Sequence, residues 1–425
     1  MSEWKKVKIG DICKIVKGTT GIASAEPGQY PLVVTAEERK TCSTYQFDCE
    51  AVCIPLVSSS GHGKKSLKNV HYQSGKFALG TILCAVIPNN PHELDARYLH
   101  QYLQFYKDII LVPLMKGAAN VSLSMKDIAT VEFPLPPIER QRELSNLFVS
   151  LQEKQKDLST EYEKQIEYAK LLRQNILQEA IEGKLTADWR KQNPVQKGNP
   201  NYDAEALFER IQKNINNEKS GKINIAHNDL DGIPVGWKYV NPEEIGQFTS
   251  GKTPPKEELL QEGKPYFRVS DMNSLGNEVY LKYTDNYISK SSSLRCFPKD
   301  SIVFPKNGGA IFTNKKRILQ TESLVDLNTG VYIPSKLLNQ RFSFWLFSTI
   351  NFTNYWKGTT LPTIDMDAVR RIKWMLPPLK EQEVIVNKVE ALLTKVTTLE
   401  NQIQARKSLS DRLIFGIIKE NLEEK

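Results

Sequence analysis

A double-proline segment followed by a long polar helix occurs twice in this chain and constrains its fold more than any other feature. Residues 133–141 read Phe-Pro-Leu-Pro-Pro-Ile-Glu-Arg-Gln, and residues 374–382 read Trp-Met-Leu-Pro-Pro-Leu-Lys-Glu-Gln. Pro136 of the first copy corresponds to Pro377 of the second, an offset of 241 residues (136 to 377). Two consecutive prolines cannot continue a strand or a helix, but they suit the start of a helix. The repeat therefore predicts two long helices that begin in the same way.

Both long helices carry an apolar stripe with spacings of three and four residues. In the first helix its members are Phe148, Leu151, Leu158, Tyr162, Ala169, Leu172 and Ile176, and in the second Val389, Leu392, Leu399, Ile403, Ser410, Leu413 and Ile417. The second set follows the first at the same offset of 241 residues, and only its serine is not apolar. This spacing is that of a coiled coil, so these residues are predicted to form a helix–helix seam. The alternative is two unrelated charged helices, each lying on its own domain.

The repeat extends upstream of both helices, which argues against that alternative. Lys116-Gly117 and Met125 return as Lys357-Gly358 and Met366 at the same offset, and Trp4 and Gly18 return as Trp237 and Gly251 at an offset of 233 (4 to 237). The centres of the two upstream segments are not similar in sequence. We therefore predict a tandem α+β architecture in which two globular α/β units with shared edges alternate with two long helices.

The chain length of 425 residues suits two or three domains. We place the first globular unit at 1–137, the central helix at 138–185, a connector at 186–236, the second globular unit at 237–378 and the last helix at 379–425. The central helix is expected to stop at Gly183, because glycine readily adopts the left-handed conformation that ends helices. The connector carries one amphipathic helix at 203–217 and is otherwise expected to be loop.

Runs of β-branched and aromatic residues predict short strands in both globular units. In the first unit they lie at 7–16, 30–34, 51–57 and 77–88, the last being one strand or two, and a helical spacing covers 94–107. In the second unit they lie at 266–269, 279–283, 301–304 and 330–333, and an aromatic-rich helix is predicted at 341–356.

The composition permits nucleic-acid binding without requiring it, because the formal net charge is only +8. The first six residues do not resemble a signal peptide, and the longest apolar run, 77–88, is too short to cross a bilayer. We expect a soluble, cytoplasmic protein with no membrane partner. Cys49 and Cys53, with Cys42 nearby, raise the alternative of a zinc site, but the chain has no paired CxxC motif, and reduced core thiols are favoured.

The usual signatures of catalysis are absent from the sequence. Ser58–Ser66 contains Gly-Lys, but Ser58 stands where a phosphate-binding P-loop needs glycine, and Lys65 stands where it needs serine or threonine. Asn199-Pro-Asn-Tyr202 lacks the second proline of an amino-methyltransferase motif, and there is no GxGxxG, HExxH or GxSxG. We therefore expect a recognition protein that is not an enzyme and holds no metal or cofactor of its own.

Two globular units, each followed by Leu-Pro-Pro-(Ile/Leu)-x-x-Gln and a long helix, resemble the specificity subunit of type I restriction–modification enzymes. The first helix ends Leu172-Arg-Gln-Asn-Ile-Leu-Gln-Glu-Ala-Ile-Glu-Gly-Lys-Leu185, similar to the central region of that family, and Pro234-Val-Gly-Trp237 resembles the opening of its second recognition domain. The second helix departs from the pattern, because it ends Arg412-Leu-Ile-Phe-Gly-Ile-Ile418. The resemblance covers essentially the whole chain.

This resemblance implies the following expectations. Each globular unit is a target recognition domain that reads one half of a bipartite site in double-stranded DNA. The two helices pack antiparallel with pseudo-two-fold symmetry, set the spacing of the half-sites and dock modification subunits, of which two are expected. S-adenosylmethionine is expected on those subunits, and ATP and Mg on restriction/translocase subunits.

Recognition of a duplex requires contacts to phosphates for register and to base edges for sequence. We predict phosphate contacts from Lys64, Lys65, Lys68, Lys315, Lys316 and Arg317, and base contacts from Ser60, His62, Arg268, Asp271, Asn273 and Asn307. Lys116 and Lys357 are further candidates because their Lys-Gly pairs recur in both units. For each residue the alternative is a solvated loop position, and for the Lys-Gly pairs a shared turn. The alternative functions are a coiled-coil adaptor that binds proteins without DNA and, more distantly, a free-standing methyltransferase.

Overall fold

The computed structural model describes residues 4–60, 63–218, 232–289 and 292–422. It divides into two compact units: unit 1 comprises residues 1–164 and 403–425, and unit 2 comprises residues 165–402. Each unit therefore contains one globular segment together with a part of each long helix. The domain boundaries drawn from the sequence, which separate the helices from the globular segments, stay predictions.

The globular segment of unit 1 is built mainly from short strands. The strands are β1 (Lys5–Lys8), β2 (Cys13–Lys17), β3 (Tyr30–Val33), β4 (Lys40–Cys42), β5 (Phe47–Asp48), β6 (Ala51–Pro55), β7 (His71–Gln73), β8 (Lys76–Leu79), β9 (Leu83–Pro88) and β10 (Glu132–Leu135). The helices are α1 (Ile9–Ile12), α2 (Ala96–Ile110), α3 (Met125–Ala129) and the long α4 (Ile138–Ile181). The run at 77–88 thus forms two strands, and the predicted strand at 7–16 is interrupted by the single turn α1.

The globular segment of unit 2 contains more and shorter strands. They are β11 (Lys238–Val240), β12 (Gly246–Ser250), β13 (Leu259–Leu260), β14 (Lys264–Phe267), β15 (Tyr280–Leu281), β16 (Tyr287–Ile288), β17 (Ile302–Pro305), β18 (Arg317–Leu319), β19 (Leu324–Val325), β20 (Thr329–Pro334), β21 (Trp356–Lys357), β22 (Thr363–Ile364) and β23 (Trp374–Leu376). The helices are α5 (Ala187–Gln192), α6 (Ala204–Glu218), α7 (Pro242–Ile245), α8 (Gln340–Ser348), α9 (Met366–Arg370) and the long α10 (Leu379–Leu422).

Two element predictions for unit 2 were wrong. The connector contains the helix α5 as well as α6; Trp189 of α5 stacks on Tyr202 at 6.2 Å between ring centroids. The helix predicted at 341–356 ends at Ser348, because the Thr-Ile-Asn that follows has low helix propensity. The Asn351 side chain then accepts a hydrogen bond from the Thr353 amide and caps a separate 3-10 turn.

The centres of the two globular segments share a topology that their sequences do not reveal. In unit 1 an antiparallel sheet has the order β2-β9-β6-β7, and in unit 2 a sheet has the order β12-β20-β17-β18, with β15 added parallel to β18. Each unit also contains an equivalent parallel pair outside this sheet, β3 with β8 in unit 1 and β14 with β19 in unit 2. A two-stranded pair, β1–β10 or β11–β23, joins the beginning of each segment to its end. The repeat therefore extends through the whole globular segment.

The glutamine of the double-proline motif explains why each long helix begins where it does. Gln141 is fully buried; its amide nitrogen donates to the carbonyl oxygens of Pro136 and Glu93 at 2.8 and 2.9 Å, and its oxygen accepts from the Asp95 amide at 2.8 Å. Asp95 is the residue that caps α2. The glutamine thus holds the start of α4 against the start of α2.

Gln382 makes the equivalent contacts in unit 2. It is also fully buried, donates to the carbonyl oxygen of Pro377 at 2.9 Å and accepts from the Asn339 amide at 3.0 Å. Asn339 caps α8, as Asp95 caps α2. The repeated glutamine therefore joins α4 to α2 in unit 1 and α10 to α8 in unit 2.

Within each unit the two long helices run antiparallel. In unit 1 the Tyr162 hydroxyl lies 3.0 Å from the Ser410 hydroxyl, and Arg140, nearer the start of α4, donates to Asn421, nearer the end of α10, at 3.3 Å. In unit 2 Arg173 donates to the Glu400 carboxylate at 2.7 and 3.0 Å, and Lys388 donates to the carbonyl oxygen of Leu185 at 2.7 Å. Higher numbers on α4 face lower numbers on α10 in both places, which confirms the expected antiparallel pairing within each unit.

The predicted seam is partly wrong. Phe148, Leu151, Ala169, Ile176, Val389 and Ile403 are buried, and Tyr162, Leu392, Ser410 and Ile417 are half-buried, but Leu158, Leu172, Leu399 and Leu413 are exposed. At each exposed position the more buried side chain is the next residue: Ser159, Arg173, Glu400 or Ile414. A strict seven-residue pattern drifts by roughly 20° per heptad on a helix with 3.6 residues per turn. The buried stripe therefore follows the periodicity of 3.6 residues per turn and not the seven-residue repeat.

Candidate nucleic-acid interface

A serine-rich loop after β6 carries the first group of predicted DNA contacts. The Ser58 hydroxyl donates to the carbonyl oxygen of Lys64 at 2.5 Å and accepts from the Ser66 amide at 3.2 Å, while the Lys68 amide donates to the Ser59 hydroxyl at 2.9 Å. The Ser60 hydroxyl lies 2.7 Å from that of Ser66. These short polar side chains fold the loop on itself, so that the side chains of Lys64, Lys65 and Lys68 are exposed. The candidate His62 lies outside the described residues.

This loop is hydrogen-bonded to the turn that follows Lys116. The Ser58 amide donates to the carbonyl oxygen of Val121 at 3.0 Å, and the Leu123 amide donates to that of Leu56 at 2.9 Å. Gly117 has φ 119°, and a Cβ there would lie 2.2 Å from the backbone oxygen of Asn120, so the turn requires glycine. The structure thus brings the lysines of the loop and Lys116 into one surface region, named here the unit 1 loop–turn region (residues 56–60, 63–68 and 116–123).

Unit 2 repeats this arrangement with different side chains. The loop after β17 joins the turn after Lys357: the Gly308 amide donates to the carbonyl oxygen of Pro362 at 2.7 Å, and the Ile364 amide donates to that of Lys306 at 3.0 Å. Gly358 has φ 93°, like its counterpart Gly117. Residues 306–317 and 356–364 form the unit 2 loop–turn region. The loop-to-turn hydrogen bonds and the positive-φ glycine match those of unit 1, whereas the sequence, apart from the Lys-Gly pair, does not.

The repeated lysine is paired with a carboxylate in both units. Lys116 contacts Asp127 at 3.1 Å, and Lys357 contacts Asp365 at 3.3 Å. Asp127 also accepts from the Ser124 hydroxyl, and this hydrogen bond together with the ammonium lowers the pKa of the carboxyl group; the Ala368 amide and Lys357 lower the pKa of Asp365 in the same way. Solvent-exposed ion pairs contribute little to stability, so both lysines can exchange their carboxylate for a phosphate.

Sequence reasoning missed the two carboxylates, although a signal for them exists. Asp365 caps α9, and Asp127 lies in the first turn of α3, next to the cap Ser124. Both short helices begin at the repeated methionines, Met125 and Met366. An acidic residue at the start of a helix that follows a Lys-Gly turn is therefore the pattern that predicts this pair.

The predicted phosphate contact by Lys316 is wrong, and the side chains of Lys315 and Arg317 are hydrogen-bonded within the protein. Lys316 is only 6 % exposed; its ammonium donates to Asn314 at 2.7 Å and to the carbonyl oxygen of Ile350 at 2.5 Å, and lies 4.7 Å from the centre of the Phe352 ring. Burial lowers the pKa of Lys316 to about 7. Arg317 is half-buried and donates to backbone oxygens, including that of Met272 at 2.9 Å. Lys315 donates to the Asn273 side chain.

The remaining base-contact candidates of unit 2 differ in their contacts within the protein. Asp271 is half-buried and accepts from the Arg268 amide at 2.8 Å and the Thr284 hydroxyl at 3.2 Å, so it shapes its own turn. The guanidinium of Arg268 lies 5.8 Å from the centre of the Tyr266 ring, and the side chain is exposed. The Asn307 amide is 3.4 Å from Asn328. Base contacts by Arg268, Asp271, Asn273 and Asn307 stay predictions, as does that by Ser60.

The described residues hold no group of three or more His, Cys, Asp or Glu side chains that could bind a metal ion. Burial raises the pKa of Cys13 and Cys84 to about 12, as expected for thiols within an apolar core. Among the described helices, none is both long enough and apolar enough to cross a membrane.

The repeated topology and the repeated loop–turn regions define a protein with two copies of one globular domain, and comparison with known families identifies its class. The family model for the type I restriction modification DNA specificity domain matches residues 1–168 and again residues 234–406. The chain therefore belongs to this family and carries two of its domains. This match supports the resemblance inferred from the double-proline motif and argues against an adaptor without DNA.

Individual relatives share this organisation at low sequence identity. The type I restriction enzyme EcoDI specificity subunit of Escherichia coli is 22% identical over 416 residues, which cover 94% of this chain and 84% of the relative. The MjaVIII specificity subunit of Methanocaldococcus jannaschii is 22% identical, with 98% and 93% covered.

Two solved structures have the same fold over the full length of the chain. The HsdS subunit from Thermoanaerobacter tengcongensis superposes with a TM-score of 0.55, at 14% identity, and covers 100% of this chain and 97% of that one. A chain from work on complex assembly and conformational transition of the type I R-M system superposes with a TM-score of 0.69, also at 14% identity, covering 100% and 98%.

Proposed function

We propose that this chain selects the DNA target of a type I restriction–modification complex, with each globular segment binding one half of a bipartite duplex site. The observation that carries the proposal is the loop–turn region, which has equivalent loop-to-turn hydrogen bonds and a repeated Lys-Gly turn in both units but otherwise different side chains. The chain itself performs no chemistry. Partner modification subunits that bind S-adenosylmethionine supply methylation, and restriction subunits that use ATP and Mg supply cleavage.

The charges of the loop–turn regions suit the phosphate backbone. Lys64, Lys65 and Lys68 are exposed in unit 1, and Lys357 is exposed in unit 2. Neutralising phosphates with such side chains releases counterions, which gives affinity without sequence preference. Sequence selection then falls to the side chains between them, and these are what differ between the two units.

The first test uses the salt dependence of duplex binding. Replacing Lys64, Lys65 and Lys68 together with glutamate is expected to weaken binding to all duplex sequences alike. Each lost phosphate contact lowers the slope of log K against log salt by about 0.9, so the slope falls by up to about 2.7. The measurement is filter binding between about 0.05 and 0.2 M salt by the chain assembled with its modification subunits.

The control carries the same charge change at three exposed positions of α4, Lys154, Lys156 and Lys164. Its slope is expected to match that of the wild type. An unchanged slope in the loop variant would place this loop away from DNA. Failure of the wild-type assembly to bind any duplex at low salt would favour the adaptor function instead.

The long helices present a repeated apolar surface that suits two equivalent partners. Tyr168 and Leu172 are exposed on α4, and Leu409 and Leu413 are exposed on α10 at positions 241 residues later. Exposed apolar side chains at matching repeat positions mark interaction sites, because water contact with them is unfavourable. We infer that one modification subunit docks at each pair.

Replacing Leu172 or Leu413 with aspartate is expected to release one modification subunit each, and the double variant to release both. Native mass spectrometry of the purified complex measures the stoichiometry, and thermal unfolding checks that the chain stays folded. Leu275→Asp is the control, because Leu275 is a highly exposed leucine of unit 2 that does not lie on a long helix. A double variant that retains both modification subunits would refute this docking surface.

A further inference from the structure

Two aromatic side chains are exposed in the unit 2 loop–turn region. Phe312 and Trp356 are 47 % and 44 % exposed, and their rings meet edge to face with centroids 5.4 Å apart. Leu361, which is 58 % exposed, lies beside Gly308 in the same region; a Cβ on that glycine would be 4.0 Å from the leucine Cδ1. Large apolar groups gain free energy when they leave water, so this cluster is suited to covering a partner surface.

The backbone holds both rings in place before any partner arrives. Trp356 belongs to β21, which pairs with β22 in the register Trp356↔Ile364. Phe312 lies on a 3-10 turn that begins after Gly308 and ends at Asn314, which has the left-handed conformation. The Gly308 amide donates to the carbonyl oxygen of Pro362. The Asn314 side chain accepts from the Phe352 amide at 2.9 Å. A preformed aromatic pair loses little conformational entropy on binding.

The lysine and arginine residues near the aromatic pair favour a negatively charged partner. Segments 306–317 and 351–364 contain five lysine and arginine residues and no aspartate or glutamate. Of these, Lys316 is buried and Lys357 pairs with Asp365, the residue after the second segment, so the positive balance comes from Lys306, Lys315 and Arg317. A partner that is negatively charged and also offers flat apolar faces is a nucleic acid, since every base has a π-face on which aromatic rings stack. The equivalent region of unit 1 differs, because fully buried Met115 occupies the position of Trp356, and Asn120 occupies that of Leu361.

We propose that Phe312 and Trp356 form a wedge that enters a base step of the half-site bound by unit 2 and stacks on the base it exposes. Apolar side chains that part a base step kink the duplex and make recognition depend on how easily that step opens. Unit 2 would thus read a deformable step as well as base edges, whereas unit 1 has no such wedge among its described residues. The inference rests on the proposed function, because it assigns a contact to the same DNA-binding surface.

The test uses the chain assembled with its modification subunits and duplexes that carry the target found by methylome sequencing. 2-Aminopurine, whose fluorescence rises when it unstacks, replaces one base at a time at positions other than the methylated one. We expect a rise at one step in the half-site of unit 2 and none at the corresponding step in that of unit 1. The Phe312→Ala, Trp356→Ala double variant is expected to lose this signal and to bind about 10- to 100-fold more weakly, as measured for lost base stacking.

Three comparisons make the outcome decisive. The salt slope of the double variant is expected to stay unchanged, because no ionic contact is removed. Trp356→Phe is expected to keep most of the signal, and Leu260→Ala, which removes an equally exposed apolar side chain elsewhere in unit 2, is expected to keep all of it. Thermal unfolding confirms that each variant is folded.

A fluorescence rise that persists in the double variant, or its absence in the wild type while duplex is bound, would overturn the wedge and leave the proposed function standing. Release of a modification subunit by the double variant with unchanged duplex affinity would show that the pair contacts protein. A wild-type assembly that binds no duplex would overturn the proposed function and the wedge with it.

Discussion

Alanine in place of Glu381 is expected to destabilise unit 2 by about 3–5 kcal/mol, the usual cost of removing one partner of a buried ion pair. Glu381 is 1 % exposed in the first turn of α10. Its carboxylate accepts from Arg190 and from the Thr186 hydroxyl at 2.5 Å each, and from the Trp237 indole at 2.7 Å. Without it, a mostly buried guanidinium and an indole N–H lose their acceptor together.

The position of Glu381 explains why the effect should be large. The Arg190 guanidinium also donates to the carbonyl oxygen of Gly183 at 2.6 Å and lies 5.5 Å from the centre of the Trp237 ring. One carboxylate therefore joins the end of α4, helix α5, the beginning of the globular segment and the start of α10. These segments include the motifs at 172–185, 234–237 and 374–382 that resemble the family.

Urea unfolding followed by circular dichroism measures the effect. The matched control is Glu383→Ala, which removes an exposed glutamate from the same turn of α10; its pair with Lys380 at 3.0 Å should contribute less than about 1 kcal/mol. Glu381→Gln keeps one acceptor oxygen but replaces the other, and the charge, with an NH2 donor, so its destabilisation is expected to lie between the two. Equal destabilisation by the alanine variants at 381 and 383 would contradict the role assigned to this carboxylate.

Exchange of residues 237–378 for the corresponding segment of a relative is expected to change one half of the methylated motif and leave the other half intact. The reason lies in how the segment is joined to the helices. Strands β11 and β23 pair with each other, so the segment begins and ends side by side. The exchanged segment must keep Trp237 for Glu381 and an Asn or Asp cap for Gln382 at the position of Asn339, because these contacts hold it to α10.

Methylome sequencing of a host without other type I systems reads the outcome directly. The reciprocal exchange of residues 1–137 serves as the control and is expected to change the other half of the motif only. If either exchange alters both halves, or neither half, the two segments do not read DNA independently.

The sequence predicts the long helices of this protein better than it predicts the side chains exposed on its loops. Prolines before α4 and α10 and Gly183 after α4 are local signals, and both helices begin within a residue of the predicted positions. The shared topology of the two centres has no such signal, because short strands pair through contacts that are distant in sequence. Gln141 and Gln382 stand out as a repeat, but their partners Asp95 and Asn339 become visible only in three dimensions.

The candidate interface shows the same limit. Lys315, Lys316 and Arg317 look alike in sequence, yet Lys316 turns inward to a backbone carbonyl and an aromatic ring more than 30 residues away, at Ile350 and Phe352. Charge patterns predict which loops are basic, whereas the packing of each loop decides which ammonium groups reach solvent. Trp356 is the opposite case, since its exposure depends on the strand pair β21–β22, which the sequence did not predict.

The internal repeat also bears on which DNA sequences such a chain can address. Two identical subunits related by a two-fold axis carry identical contact surfaces, so the site they read is a palindrome. Here the helix starts, the glutamine contacts and the exposed Tyr168–Leu172 and Leu409–Leu413 pairs repeat, while the loop–turn side chains other than the Lys-Gly pair do not. Under the proposed function, a single polypeptide therefore offers equivalent docking positions to two identical partner subunits and still directs them to an asymmetric sequence. Either globular segment can then change its target half-site, because the docking positions for the partners are symmetric whereas the DNA target is not.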